Sequence, residues 1–412
     1  MERIWRRAWI FVAHDSQVPE AGDFVTTRMG PEDVIVARHR DGKVHVLFNR
    51  CTHRGAKVCS EPAGRTGRFR CPYHGWSYTC DGTLAGIPLA AGYPAEFDRK
   101  DPDLDLARPA RVDSYRGFVF ASMAADGPDL KTFLGPAATI IDDLCDRAPE
   151  GRIEFAGGVH KHGFDGNWKL QVENLNDLAH PAFAHESSIA VARPEEEGDD
   201  FTPDDIMKAN GASNDWLDRA GVWGGPYGHS FMGGLPVERT ISKAGHAAYV
   251  EAMRAHHGPA RAEEILAVNR HQGIVYPSLS IQAAFQQVKV FHPVSVDRTE
   301  VHVYPARLVG APDEYHEVAV RFLNTVNAPS SLILGDDLEI YDRTQAALGG
   351  SAQPWVIFAN GLGSDEPDNR GGLRGRGTSE LPMRNQYAAW RHFMCGDPLG
   401  APAASPQVGA AE

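Results

Sequence analysis

The stretch Gly67–Leu84 reads "GRFRCPYHGWSYTCDGTL". Polar and apolar side chains alternate on both sides of the central "CPYHGW", the period of a half-buried strand, and "CDG" at Cys80–Gly82 is a hairpin-turn signal. The same pattern recurs upstream in "VIVARHRDGKVHVLFN" (Val34–Asn49), with its own turn at "RDGK", and downstream in "YRGFVFASM" (Tyr115–Met123). Short strands from about Asp33 to Phe120 therefore predict a small all-β unit, the core of a first domain set at residues 1–130.

Two loops of that unit carry chemistry. "CTHRG" (Cys51–Gly55) and "CPYHGW" (Cys71–Trp76) each supply one Cys and one His. Two thiolates and two imidazoles can hold zinc, although zinc sites usually pair their cysteines in one knuckle and their histidines elsewhere. One ligand of each kind per loop suits a two-iron cluster better. One iron then takes Cys51 and Cys71 and the other takes His53 and His74, the Rieske arrangement, in which imidazole ligation raises the reduction potential. Gly55 and Gly75 leave room for backbone amides to approach the cluster sulfurs. Cys59, Cys80, Cys145 and Cys395 have no partner at ligand spacing and read as buried small side chains or inert thiols.

The 412 residues suggest two or three domains, and a hydrophobic fraction of 42% can bury a sizeable core. The formal charge is −13, from 54 acidic and 41 basic side chains, with no basic stripe, which argues against nucleic acid as a partner. The apolar run in "MERIWRRAWIFVAHD" ends at Ala13, too short for a signal segment or a membrane span, and no later run is longer. A cytoplasmic location without membrane attachment is expected, so the six cysteines are not read as a disulfide framework. Residues 5–13 read as a short amphipathic helix.

After "AADGPDLKTFLGP" the character changes. Helix is expected over Asp129–Arg147, strand in "RIEFAGGVHKHGF", and helix over Trp168–His180. Partly helical, mobile loops are expected across 191–265. Strands return in "GIVYPSLSIQAA" and "QQVKVFHPVSVDRTEVHVYPARLVG", followed by helices near Ala311–Thr325 and Ser331–Ala347. The Ala/Pro/Gly-rich end, 396–412, reads as a disordered tail behind a second domain at 131–395.

Within that second domain, Asn174–His185 reads "NLNDLAHPAFAH". Asn174 and Asp177 fall on one face of the expected helix. Pro181 must bend or end it near His180, because an imino acid lacks the donor and clashes with the preceding turn. His185 on the next turn can then swing back toward His180. Two imidazoles at a bend suit the 2-His-1-carboxylate triad of non-haem Fe(II) oxygenases, which leaves open coordination positions. Taken alone, His-x4-His more often marks surface or capping histidines than a metal site.

Together, "CTHRG", "CPYHGWSY", "GNWKLQVENLNDLAHPAFAH" and the late "GDDLEIYDRTQ" resemble the large (α) subunit of the Rieske non-haem iron aromatic ring-hydroxylating oxygenases, from about Trp5 to about Gln345. The resemblance implies an α+β chain: an N-terminal all-β Rieske [2Fe-2S] domain, then a catalytic domain on a curved antiparallel sheet flanked by helices. It implies His180, His185 and Asp337 as ligands of a mononuclear Fe(II), with Gln345 eight residues beyond Asp337. Asp336 is the runner-up, read as a helix N-cap or a solvated acid. It also implies a ring of three subunits, as a homotrimer or with three small β subunits. Asp177 would there bridge its own His180 to His74 of the next subunit, or else only orient His180. Asn174 would tune the iron, or be an ordinary helix polar residue.

The activity implied is that of a terminal oxygenase. NAD(P)H electrons from a separate reductase or ferredoxin pass through the Rieske cluster to Fe(II), and O2 is inserted into an aromatic substrate. Ring dihydroxylation of an aromatic acid is favoured, placing the chain in aromatic hydrocarbon catabolism. The alternatives are a Rieske monooxygenase or demethylase acting on an alkyl ether or amine, and a plain electron carrier. The carrier would hold two irons per chain where the oxygenase holds about three. No flavin or nicotinamide motif is present in the chain. Arg307 is a candidate for a substrate carboxylate, against a rim salt bridge. His160 and His162 read as structural and Trp168 as core, while Met232, Phe285 and Phe291 are cavity-wall candidates with core packing as the default.

Overall fold

The computed structural model describes residues 3–191, 218–236 and 245–396. The chain divides into two compact units, Met1–Leu130 and Lys131–Glu412. Part of the loops expected in 191–265, and the tail from 397 on, lie outside the described residues. Within the former region, helices span His246–His257 and Pro259–Ala267.

The first unit is built from three small antiparallel sheets. Asp23–Met29, Glu32–Arg38 and Val44–Phe48 pair in sequence order, with Ala63–Arg65 on the outer edge of the first. Arg68–Arg70, Ser77–Thr79 and Leu84–Gly86 form the second, which is the opening stretch folded on itself. Their apolar faces share one core of Phe24, Ile35, Leu47, Phe69, Trp76, Tyr78 and Leu106, in which Cys51 and Cys71 are also buried. The third sheet corrects the expected N-terminal helix. Only Ile4–Arg7 is helical, and Ile10–His14 is a strand paired with Phe118–Ser122. Every residue of Ile10–His14 is buried, so an apolar run of strand length is used on both faces and shows no helical stripe.

The second unit is organised by a ten-stranded antiparallel sheet, nine of whose strands run from Ile153–Phe155 at one end, through Thr299–Leu308, Gln287–Pro293, Leu279–Gln282, Val268–Val275, Ser230–Pro236 and Val222–Gly224, to Leu373–Gly375 and Glu366–Pro367, while the tenth, His160–Phe164, also pairs with Thr299–Leu308. Register shifts around Gly233 mark irregularities of the kind that bend a strand. The helix expected over Asp129–Arg147 is two pieces, Leu130–Leu134 and Ala138–Asp146, separated at Gly135-Pro136. The second piece buries Ile140, Ile141 and Leu144, and Gly273 of the sheet leaves Ile140 the space a Cβ would take. Trp168 is core, against Tyr276 at 5.6 Å between ring centroids. Phe285 stacks on Phe322, Met232 joins Leu178, Val222 and Leu381, and Phe291 is fully buried.

A histidine with no role in the sites described below holds this unit together from inside. His229 accepts from Tyr276 N through Nδ1 and donates from Nε2 to the Phe133 carbonyl, at 3.0 and 2.8 Å. Burial holds its pKa down to about 4, against 6.5 for a free imidazole. Between those values the unfolded chain binds a proton that the folded chain refuses, so stability is lost as pH falls from about 6.5 to 4. The full difference is about 3 kcal/mol. Thermal denaturation should therefore show a pH-dependent loss over that window. His229→Gln, which keeps one donor and one acceptor without titrating, should lower the melting temperature at pH 7 and flatten the loss.

Candidate metal centres

The two Cys/His loops close in the same way. Cys51 N donates to Ala56 O and Gly55 N to Cys51 O. In the second loop Cys71 N donates to Trp76 O and Gly75 N to Cys71 O, all at 2.7–3.0 Å. Gly55 and Gly75 both sit at φ +75°, a left-handed conformation that a side chain would strain. The loops bring the imidazoles of His53 and His74 to 4.6 Å between ring centroids. His53 stacks on Trp76 at 4.8 Å, and its Nδ1 is buried without a hydrogen-bond partner. His74 is exposed.

Tyr78 OH lies 3.1 Å from Cys51 Sγ and 3.0 Å from Thr52 Oγ1. Burial raises the Cys51 thiol pKa, so its thiolate needs a cation beside it. Two buried thiols, two adjacent imidazoles and an orphaned ring nitrogen fit a [2Fe-2S] cluster with mixed ligands. Asn49, which nothing in the sequence singled out, braces the first loop. Its Oδ1 accepts from Val58 N and Cys59 N, both at 2.9 Å, and its Nδ2 donates to Cys59 O at 2.6 Å.

In the second unit the motif helix is shorter than expected. It runs Trp168–Leu175, capped by Asn167 Oδ1, and ends at Asn176, whose buried side chain accepts from Ser230 Oγ at 2.8 Å. Asp177 then turns the chain, its Oδ1 accepting from Ala179 N at 2.7 Å and His180 N at 3.3 Å. Pro181 opens a new four-residue helix, Pro181–Ala184, at the first position, where its missing N–H costs nothing. The break that proline was expected to cause is thus prepared five residues earlier, by Asn176.

The long helix Leu332–Leu348 carries the acids. Ser331 Oγ caps it, so Asp336 is not the N-cap. Nor is Asp336 merely solvated, because its Oδ2 accepts from His185 Nδ1 at 3.1 Å and from Ser188 Oγ at 3.4 Å. That bond places the His185 proton on Nδ1 and turns Nε2 toward Asp337 Oδ1, 3.5 Å away. His180 Nε2 stands 3.6 Å from the same oxygen. The Asn174 amide donates to Asp337 Oδ1 at 2.8 Å and lies 3.1 Å from His180 Nε2. Donor atoms of His180, His185 and Asp337 all fall within 4.8 Å of one another. Two imidazoles and one carboxylate, with Asn174 filling the gap between them, fit a mononuclear iron.

Electrostatics keep the site ready for a cation. Burial lowers the His180 pKa to about 4, against the pull of Asp337, so its ring is neutral at pH 7. Burial also raises the Asp177 carboxyl pKa. Asp177 Oδ2 is 3.9 Å from His180 Nδ1, which is buried and has no hydrogen-bond partner. Lys289 is buried too, its ammonium pushed down to about 8 by desolvation with Asp337 pulling the other way.

Arg307 is corrected as a substrate residue. It is half-exposed and ion-paired with Asp313 at 2.5 Å, the rim salt bridge that was its other reading. His162 is buried with both ring nitrogens lacking hydrogen-bond partners, while His160 is half-buried. Among the described residues, no helix is long and apolar enough to cross a membrane.

Comparison with known proteins identifies both units. Residues 8–100 match the Rieske [2Fe-2S] domain, and residues 149–395 match the catalytic domain of the ring hydroxylating alpha subunit. The chain is 33% identical over 356 residues to toluate 1,2-dioxygenase subunit alpha of Pseudomonas putida, covering 85% of this chain and 76% of that one. It is 30% identical over 385 residues to the 2-halobenzoate 1,2-dioxygenase large subunit of Burkholderia cepacia, covering 90% and 80%. The solved structure of naphthalene 1,2-dioxygenase with indole in its active site superimposes with a TM-score of 0.81 at 26% identity, over 95% of this chain and 88% of that chain.

This geometry sets three outcomes. Asp337→Asn should reduce iron from about three to about two per chain while leaving the cluster's visible spectrum intact. Asp336→Asn should weaken iron retention by roughly 10- to 100-fold, as loss of a ligand-orienting partner does. Iron analysis after dialysis reads both. Tyr78→Phe removes a hydrogen bond to Cys51, and a bond worth about 1 kcal/mol more to the reduced cluster shifts a one-electron couple by roughly 50 mV. Redox titration should therefore find the cluster potential lowered by that order.

Proposed function

Because this chain belongs to the Rieske ring-hydroxylating oxygenases, as their large (α) subunit, we propose that it dihydroxylates the ring of an aromatic carboxylic acid. The convergence of His180, His185 and Asp337 beside Asn174 carries the reading. When bound, the cluster relays single electrons supplied by a separate reductase, and the iron binds and activates O2.

The chain's own residues do the rest. Cys51, Cys71, His53 and His74 hold the cluster, and Tyr78 steadies the charge on the Cys51 sulfur. Asp336 fixes the His185 tautomer, and Asn174 holds Asp337 in place from the other side. Asp177 anchors the backbone turn at His180 and leaves its second oxygen facing that imidazole. An exposed His74 on a neighbouring copy is a suitable partner for this carboxylate, so three chains in a ring, with or without a small β subunit, give the assembly. A carboxylate shared by two imidazoles couples their protonation and orients both rings. Asp177→Asn should then leave both metal contents unchanged while slowing cluster oxidation by substrate and O2 at least tenfold.

Support for an acidic substrate comes from relatives named for toluate and 2-halobenzoate, and from Lys289. With Arg307 held in its surface pair, Lys289 is a buried cation with no hydrogen-bond or ion-pair partner among the described residues. A buried charge left so is costly, and a substrate carboxylate offsets that cost.

The test is turnover under labelled O2, driven by NADH through a generic donor chain, against aromatic acids, neutral aromatics and methylated amines. Two label atoms on an aromatic acid, with Lys289→Met raising KM for acids and not for neutral rings, is the expected result. One added oxygen or loss of a methyl group would sink the dioxygenase assignment. Equal loss on acids and neutral rings would return Lys289 to charge balance at Asp337.

A further inference from the structure

The hairpin between Glu32–Arg38 and Val44–Phe48 contains "HRDGKVH", His39–His45. Its turn is closed by His39 N donating to Lys43 O and Gly42 N to His39 O, both at 2.9 Å, with Gly42 at φ +82°. Asp41 projects back over the turn, its Oδ1 accepting from Lys43 N at 2.9 Å. This folding gathers two imidazoles and a carboxylate that neither iron site uses.

His39 Nδ1 lies 3.2 Å from Asp41 Oδ1, and His45 Nε2 lies 3.7 Å from Asp41 Oδ2. The three donor atoms fall within 4.8 Å of one another, the same closeness as at His180, His185 and Asp337. Ligands about 2.0–2.1 Å from a tetrahedral ion stand roughly 3.3 Å apart, so little movement is needed to seat one. Both ring nitrogens are buried, and neither makes a hydrogen bond despite the nearby carboxylate. Two buried lone-pair sites aimed at one acid, without the alignment of a hydrogen bond, are left for a shared cation.

The surrounding charge favours one. Asp81 acts on both imidazoles from the next hairpin, adding a second negative charge, while Arg108 opposes it. Asp81 is itself engaged by the Thr79 hydroxyl, by Thr83 N at 3.1 Å and by Thr83 Oγ1 at 3.1 Å, so it acts through space.

We propose that His39, Asp41 and His45 form a third metal site, for a zinc-like divalent ion, separate from the two iron centres. Two imidazoles and a carboxylate match zinc's ligand preference, and Asp41's exposure leaves water for the fourth position. The ion would clip the turn whose second strand leads through Asn49 and Arg50 into Cys51, stiffening the approach to the first cluster loop.

The experiment is zinc titration of the iron-loaded protein, followed by dialysis and metal analysis, with melting temperature recorded in parallel. Wild type should retain one zinc beyond its iron complement and melt at a higher temperature with zinc. The His39→Asn/His45→Asn double variant should lose that zinc, with affinity down by roughly 100-fold or more, and lose the thermal shift. Its cluster spectrum, unchanged, reports that the unit has folded. Asp41→Asn, a substitution at an exposed position, should weaken binding on its own. The His180→Asn/His185→Asn variant should keep the extra zinc. Equal zinc retention in wild type and the His39/His45 variant overturns the proposal, as does extra zinc that disappears only in the His180/His185 variant.

Discussion

Three donor atoms from distant parts of the chain must be held within one coordination sphere, and two hydrogen bonds between helices make that possible. Gln171 Nε2 donates to Tyr341 OH at 3.0 Å, and Asn167 N donates to Gln345 Oε1 at 2.8 Å, across sequence separations of 170 and 178 residues. Both lock the helix Trp168–Leu175 to the helix Leu332–Leu348. With that pair fixed, Asn174 reaches Asp337, Asp336 reaches His185, and the break at Asn176 can send His180 and His185 back toward the acids. Without it, a helix of acids and a loop of histidines remain two unrelated features. Tyr341 is fully buried with Asp337's charge nearby, both of which raise its pKa, so its hydroxyl stays protonated and its lone pair stays available to Gln171.

Where ligand chemistry depends on short-range spacing, the sequence was legible. Cys-x-His and Cys-x-x-His, the hairpin turns and the N-x-x-D-x-x-H-x4-H pattern all act within a few residues, and the structure gathers their side chains. What could not be read arises from partners far along the chain. Ile10–His14 carries no strand alternation because both its faces are covered, so only tertiary pairing with Phe118–Ser122 distinguishes it from helix. Asp336 and Asp337 are adjacent and chemically identical, and only the geometry of the opposite helix gives one to His185 Nδ1 and the other to the metal-facing side. Arg307 falls in a surface pair with Asp313, and Lys289, which the sequence did not single out, is buried, for a similar reason. Strand residues alternate faces, and no local signal says which face meets the interior.

Burial decides much of the electrostatics. His180 and His229 are held neutral by desolvation, but they use that neutrality differently. His229 has both ring nitrogens engaged and serves the fold. His180 leaves Nδ1 unbonded on the side of Asp177 and turns Nε2 toward Asp337, the acid of the triad. The same desolvation acts on both histidines, and what the ring nitrogens face is what separates them: backbone groups for His229, two carboxylates for His180.

The two cluster loops are closed by matching main-chain hydrogen bonds that do not depend on what the loops hold. A cluster held by Cys51, His53, Cys71 and His74 would supply one-electron chemistry inside loops whose main-chain bonds are already made, so a change of charge there would ask for little rearrangement of the chain around it.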